Sequence, residues 1–181
     1  GKYIVKEDIN NHLEPVYFSR GYLTNAEPIA LCEPAMRKPE KDKIDSIDIE
    51  ILKVLGKNAR INSVDIAKQI KSTPRIVNYR IKELLHKKVI SFFRMSLNLS
   101  KFDLEFYKGL LYLSSTKEKD IKALYEYARM NPHINECVKA VGPWQMEIEL
   151  EIPNFRKFAD IALDIKTRFP DLVNRIEPLL L

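Results

Sequence analysis

One short run limits the folds open to this chain more than any other. Gln145 to Ile152 reads QMEIELEI, with apolar and acidic residues alternating without a fault. Successive side chains of a strand point to opposite faces, so Met146, Ile148, Leu150 and Ile152 share one face. Glu147, Glu149 and Glu151 share the other. That pattern requires a half-buried antiparallel strand whose apolar side lies on a core. The glutamates are expected in a row on the exposed face, as solvated or interface residues rather than a carboxylate pair for acid–base chemistry.

The flanking segments complete a fold around this strand. LEFYKGLLYLS reads as a strand, and EKDIKALYEYARMN as a helix with Ile121, Leu124, Tyr125 and Ala128 on one side. INECVKAV is a strand separated from QMEIELEI by Gly142-Pro143-Trp144, then NFRKFADIALDIKTRF is a helix and LVNRIEPLLL a strand. The order β-α-β-β-α-β predicts a ferredoxin-like sheet with two helices on one face, over residues 99–181.

Ahead of it, residues 44–98 read as helices followed by an extended stretch. Asp45 caps a first helix with Ile47, Ile51, Leu52 and Leu55 at helical spacing, ending near Gly56. Ser63 opens a short second helix with Ile66, Ala67 and Ile70 on one face. Thr73 then caps a third, with Pro74 where a missing N–H costs nothing and Val77, Ile81 and Leu84 as the buried stripe. VISFFRMSLNL, rich in β-branched and aromatic residues, is expected to form a hairpin or extended strand.

The second and third helices are joined only by Lys71-Ser72, which is helix-turn-helix spacing. Charge agrees: Lys41 to Met95 hold 13 Lys/Arg against 6 Asp/Glu, a net +7, while the remaining 17 against 19 give −2. One segment carries all the surplus positive charge, which points to a polyanionic partner for that segment alone. With the apolar stripe inward, Arg75, Asn78, Tyr79 and Lys82 face outward or flank it. Arg can fork onto guanine and Asn onto adenine, while Lys and Tyr hold phosphates. Arg60, Asn62 and Ser63 lie at the start of the second helix, where backbone N–H groups can meet a phosphate. The expected partner is double-stranded DNA.

Residues 1–43 hold four of the ten prolines, Pro15, Pro28, Pro34 and Pro39. YIVKED and PVYFSRGYL are candidate short strands with Gly21 near a turn, and CEPAMRKPEKDK reads as a polar linker. The zone is an extension: a remnant of a preceding domain in a longer or tandem protein, or a strand donated to an interface. Cys32 and Cys137, 105 positions apart without a CxxC, are expected to be small buried hydrophobes in a reducing cytoplasm. No apolar run approaches the roughly 20 residues that cross a bilayer. His12, His86 and His133 fall in three separate zones, and neither a nucleophile motif nor a glycine-rich phosphate loop is present, so no enzyme, metal or cofactor is expected.

IDSIDIEILKVLGKNARINSVDIAKQI followed by STPRIVNYRIKELLHKKVI resembles the winged helix-turn-helix of the Lrp/AsnC (feast/famine) transcriptional regulators. The shared frame is Asp45 and Asp48 before Ile51-Leu52, Asn58-Ala59-Arg60-Ile61, Ile66-Ala67, then Thr73, Val77, Arg80, Leu84 and Ile90. Residues 99–181 are similar to that family's ligand-binding and assembly domain, with its glycine turn at Val141-Gly142. The resemblance implies an α+β regulator with Thr73 and Arg80 added to the DNA-binding set. It implies a homodimer formed through the sheets, assembling further to a tetramer or octamer, and a small-molecule effector near Gly142, Trp144 and Gln145. Arg80 is left with two roles, a phosphate contact or an ion pair with an acid such as Asp48.

Two departures stand out. Lys88 replaces a recurrent glycine at the end of the recognition helix, so the helix is expected to end without a glycine cap. The turn, in the family commonly G-D-Y-D, here reads Gly142-Pro143-Trp144-Gln145, without either acid to hold an amino acid's ammonium group. Trp144 therefore either lines a pocket or packs at an assembly contact. Two rival readings share the architecture: a sirohaem decarboxylase-like enzyme, and an assembly partner without DNA binding.

Overall fold

The computed structural model describes residues 8–24, 30–32 and 44–181. The chain divides into two compact units, Gly1–Ala35 with Leu97–Leu181 and Met36–Ser96.

The helical unit holds α2 (Ser46–Lys57), α3 (Ser63–Gln69) and α4 (Pro74–His86); β1 (Asn11–Phe18), α1 (Gly21–Thr24) and β2 (Ala30–Cys32) precede it in the chain. Each start is set by its cap. Asp45 accepts from the Asp48 backbone N–H at 3.0 Å while the Asp48 carboxylate accepts from the Asp45 N–H at 3.3 Å, a reciprocal box. Asn62 accepts from the Asp65 N–H at 2.9 Å, and Thr73 Oγ1 from the Ile76 N–H at 3.3 Å with Pro74 next in line. Ile51, Ile66 and Val77 are fully buried, and Leu55, Ala67, Leu84 and Ile90 close the core around them. Ile47, expected on the inner stripe, is instead exposed; Asp48 takes the buried position, 4% exposed. The strand expected in VISFFRMSLNL is not formed, and residues 91–98 carry neither helix nor strand. Branched and aromatic side chains favour a sheet only where a partner strand exists, and the described part of this unit has none.

The recognition helix does end without glycine, but not without the left-handed cap. Lys88 itself adopts φ 59°, letting its N–H reach Leu85 O at 3.0 Å and the Ile90 N–H reach Leu84 O at 3.0 Å.

The second unit contains β3 (Glu105–Leu113), α5 (Glu118–Met130), β4 (Ile134–Val141), β5 (Met146–Ile152), α6 (Phe155–Arg168) and β6 (Val173–Leu180). Its antiparallel sheet runs β2-β1-β4-β5-β3-β6. The last four give the expected ferredoxin-like order. Ile121, Leu124 and Ala128 of α5 and Phe158, Ile161 and Ile165 of α6 pack with Met146, Ile148, Leu150 and Ile152 in one core, so both helices cover the same face.

The first two strands come from the N-terminal zone. β1 pairs with β4 in the register Val16↔Cys137 and Tyr17↔Glu136, and its Val16 and Phe18 enter the core. PVYFSRGYL thus ends a strand of the sheet and turns into the short α1, with Gly21 inside it. YIVKED and the linker CEPAMRKPEKDK lie, apart from Asp8 and Cys32, outside the described residues.

The glutamate row departs from expectation. Glu147 is 2% exposed and Glu151 3%, because residues of the N-terminal segment and of β3 close over them. Alternation placed them correctly on the face opposite Met146, Ile148, Leu150 and Ile152; the structure shows that face covered.

Candidate nucleic-acid interface and the glycine turn

On α4 the residues Arg75, Asn78, Tyr79 and Lys82 recur at i, i+3, i+4 and i+7 and are all exposed, opposite buried Val77 and Leu84. Tyr79 shows 61% of its surface, more than Ile76 at 42%, the other large apolar or aromatic side chain exposed on α4. Among the described residues neither Arg75 nor Lys82 has an acidic partner within ion-pair distance. Four of the described acids of this unit are engaged elsewhere: Glu50 with Lys53 at 2.8 Å, Asp65 with Lys68 at 3.5 Å, and Asp45 and Asp48 with Arg80, while half-buried Glu83 flanks Tyr79 on α4. One face of α4 is therefore left cationic and polar.

Arg80 is placed differently from its neighbours. Its guanidinium lies 2.8 Å from Asp45 and 3.4 Å from Asp48, joining α4 to the first turn of α2. Of its two sequence-based roles, the ion pair is the one formed. The Asp45 carboxyl sits below its ordinary range, chiefly through the Asp48 N–H and then through the charge of Arg80. Asn62 and Thr73 use their side-chain oxygens as caps, and Arg60 and Ser63 flank the start of α3, Arg60 exposed and Ser63 half-buried.

The sheet unit carries a second constellation that the sequence did not disclose. Glu147 Oε1 accepts from Trp144 Nε1 at 2.7 Å and lies 2.8 Å from His12 Nε2, while Oε2 lies 2.8 Å from Lys108 Nζ. Burial pushes this carboxyl up, but the hydrogen bonds from Lys108, Trp144 and His12 outweigh it and leave it below the usual range. Lys108 is raised: burial opposes its charge, and Glu147 and then Glu149 more than restore it. Further along β5, Arg20 donates from Nε and Nη2 to Glu151 at 2.7 and 2.8 Å, joined by Tyr22 OH and, at 3.1 Å, by Asn135 Nδ2.

At the turn itself, Trp144 meets Tyr112 edge-on at 6.4 Å, and its carbonyl accepts from Asn10 Nδ2 at 2.9 Å. Gln145 is structural: its side chain accepts from the Leu113 N–H at 2.9 Å and donates to Gly142 O at 3.1 Å. No group of three or more His, Cys, Asp or Glu among the described residues is placed to hold a metal ion. No described helix is long and apolar enough to cross a membrane. Cys137 is fully buried, which pushes its thiol far above the ordinary value and leaves it inert.

Residues 44–90 match the family model for winged helix-turn-helix DNA-binding. An HTH-type transcriptional regulator of Pyrococcus abyssi is 26% identical over 118 residues, 65% of this chain and 78% of the relative. The HTH-type transcriptional regulator LrpC of Bacillus subtilis is 24% identical over 100 residues, 55% of this chain and 68% of LrpC. Both of these relatives are HTH-type transcriptional regulators. The chain is thus similar to HTH-type regulators, LrpC among them, and shares its fold with solved AsnC-family structures. Its fold matches, among solved Lrp/AsnC-like structures, a Neisseria meningitidis transcriptional regulator in complex with L-Met. The TM-score is 0.67 at 17% identity, over 77% of this chain and 90% of that one.

Proposed function

We propose that this regulator reads duplex DNA with α4 in the major groove, Arg75 and Asn78 on base edges and Tyr79 and Lys82 on phosphates. The observation that carries the reading is the exposed face those four residues share, on which neither Arg75 nor Lys82 is paired with an acid among the described residues. Arg60, Asn62, Ser63 and Thr73 lie at helix starts, where side chains and backbone N–H groups approach the phosphate backbone. Arg80 acts from behind, holding α4 against the capping acids of α2 rather than touching DNA.

The protein works as a homodimer through its sheet units, which presents two recognition helices to two half-sites about one DNA turn apart. The turn at Gly142, Trp144 and Gln145 is its effector side. The L-Met complex of the Neisseria regulator supports a small molecule at such a domain; the identity of the molecule here differs, since Pro143 and Gln145 replace the turn's acids. The histidines do not converge as a tetrapyrrole enzyme needs: His12 lies on Glu147, His133 within 3.2 Å of the Glu151 carbonyl, and His86 on α4.

Selection of bound duplexes from a random pool gives the preferred sequence. Arg75→Ala and Asn78→Ala should then each lose about 1–3 kcal/mol of discrimination at one or two base positions. Unaltered preference in both variants would place other residues on the bases.

A further inference from the structure

The glycine turn is already occupied, and by the chain's own N-terminal segment. A side chain at Gly142 would meet Asn10 Oδ1 at 2.5 Å and the Ile9 carbonyl at 2.9 Å, so residues 9 and 10 lie directly on the turn. Asn10 Nδ2 donates to the Trp144 carbonyl at 2.9 Å, and β1 continues the contact into the ladder with Asn11↔Val141 and His12↔Ala140. His12 then reaches the buried carboxylate of Glu147 beside the Trp144 indole. Its side chain is 48% exposed, against 2% for Glu147 and 18% for Lys108, so the imidazole is the more open of the carboxylate's two basic partners.

A carboxylate this buried is costly unless donors and positive charge surround it. Lys108 and Trp144 supply two of the three contacts from the ferredoxin-like strands and their turn, and His12 supplies the third from the N-terminal strand β1. A ligand that displaces His12 keeps the carboxylate satisfied when it brings an equivalent nitrogen donor. This fixes the ligand chemistry more tightly than the turn sequence does.

We propose that Ile9 to His12 is a tethered occupant of the glycine turn, and that the site it fills takes a small nitrogen base of the imidazole class in competition with it. The inference rests on reading the turn as the effector side. A tethered segment acts at an effective concentration near millimolar, so a free ligand is excluded until the strand lets go. The chain's effector response is then set by how readily β1 releases, and such local opening needs far less free energy than global unfolding.

The test uses the full chain and its only tryptophan, Trp144, as reporter, with imidazole as the probe. In His12→Ala, imidazole should give a saturable change in Trp144 emission, with a midpoint at least tenfold lower than in the wild type. His12→Gln, which keeps an N–H donor, should behave like the wild type. Adding Glu147→Gln to His12→Ala should abolish the response. Amide exchange at residues 138–141 should rise in His12→Ala and fall back with imidazole. Equal responses in wild type and His12→Ala, or none in either, would overturn the proposal. A Trp144 response with unchanged duplex affinity would uphold the tethered occupant and refute the effector reading instead.

Discussion

Removing Arg20 tests whether the N-terminal segment is structural. Its guanidinium makes two short hydrogen bonds to Glu151, and the two side chains are 14% and 3% exposed. Arg20→Ala leaves a carboxylate buried without its principal cation, a change that ordinarily costs 3–5 kcal/mol. Tyr22 OH and Asn135 Nδ2 remain on Glu151, which places the loss at the lower end, about 2–4 kcal/mol. With a urea slope of about 1–3 kcal/mol per molar for a unit of this size, the midpoint should fall by about 1–2 M. Trp144 fluorescence reports this unit alone, since no other tryptophan exists in the chain. Glu151→Gln in the Arg20→Ala background should recover part of the loss by removing the stranded charge. A midpoint shift below about 0.3 M, or no recovery in the double variant, would refute the claim that β1 and α1 are integral to the sheet.

Two further outcomes follow from the geometry. Lys88→Gly should stabilise the helical unit by about 0.5–1 kcal/mol, since glycine takes the left-handed φ of 59° without a Cβ clash; thermal unfolding followed by far-ultraviolet circular dichroism checks it. Glu147 is held below its unfolded-chain value, so its stabilising contribution is fully present above about pH 4.3 and is lost as pH falls through its lower folded value. Urea midpoints from pH 6 to pH 3 should decline less steeply in Glu147→Gln than in the wild type.

Much of this was legible because the informative patterns are local. Met146 to Ile152 fixed a strand and its core face, and the caps at Asp45 and Thr73 mark helix starts by chemistry confined to three or four residues. The outward set Arg75, Asn78, Tyr79 and Lys82 followed from helical spacing once Val77 and Leu84 were inward. What escaped is long-range. Glu147 and Glu151 looked solvated because their partners His12, Arg20 and Tyr22 lie more than 125 positions away, and no local period encodes that. Asp48 is buried where Ile47 was expected because its carboxylate serves the cap and Arg80 together, outweighing the apolar preference. Residues 91–98 have the composition of a strand but form neither helix nor strand, and among the described residues no strand of their unit pairs with them.

The most direct test of the DNA-reading face is the salt dependence of duplex binding by wild type and Lys82→Ala. If Lys82 contacts a phosphate, log Kd against log salt should become shallower by about one, with affinity weakened alike for all sequences. Arg80→Ala should lose affinity with an unchanged slope, as a residue that holds the helix without touching DNA. Parallel lines for wild type and Lys82→Ala, at equal affinity, would contradict the placement of α4 against the groove.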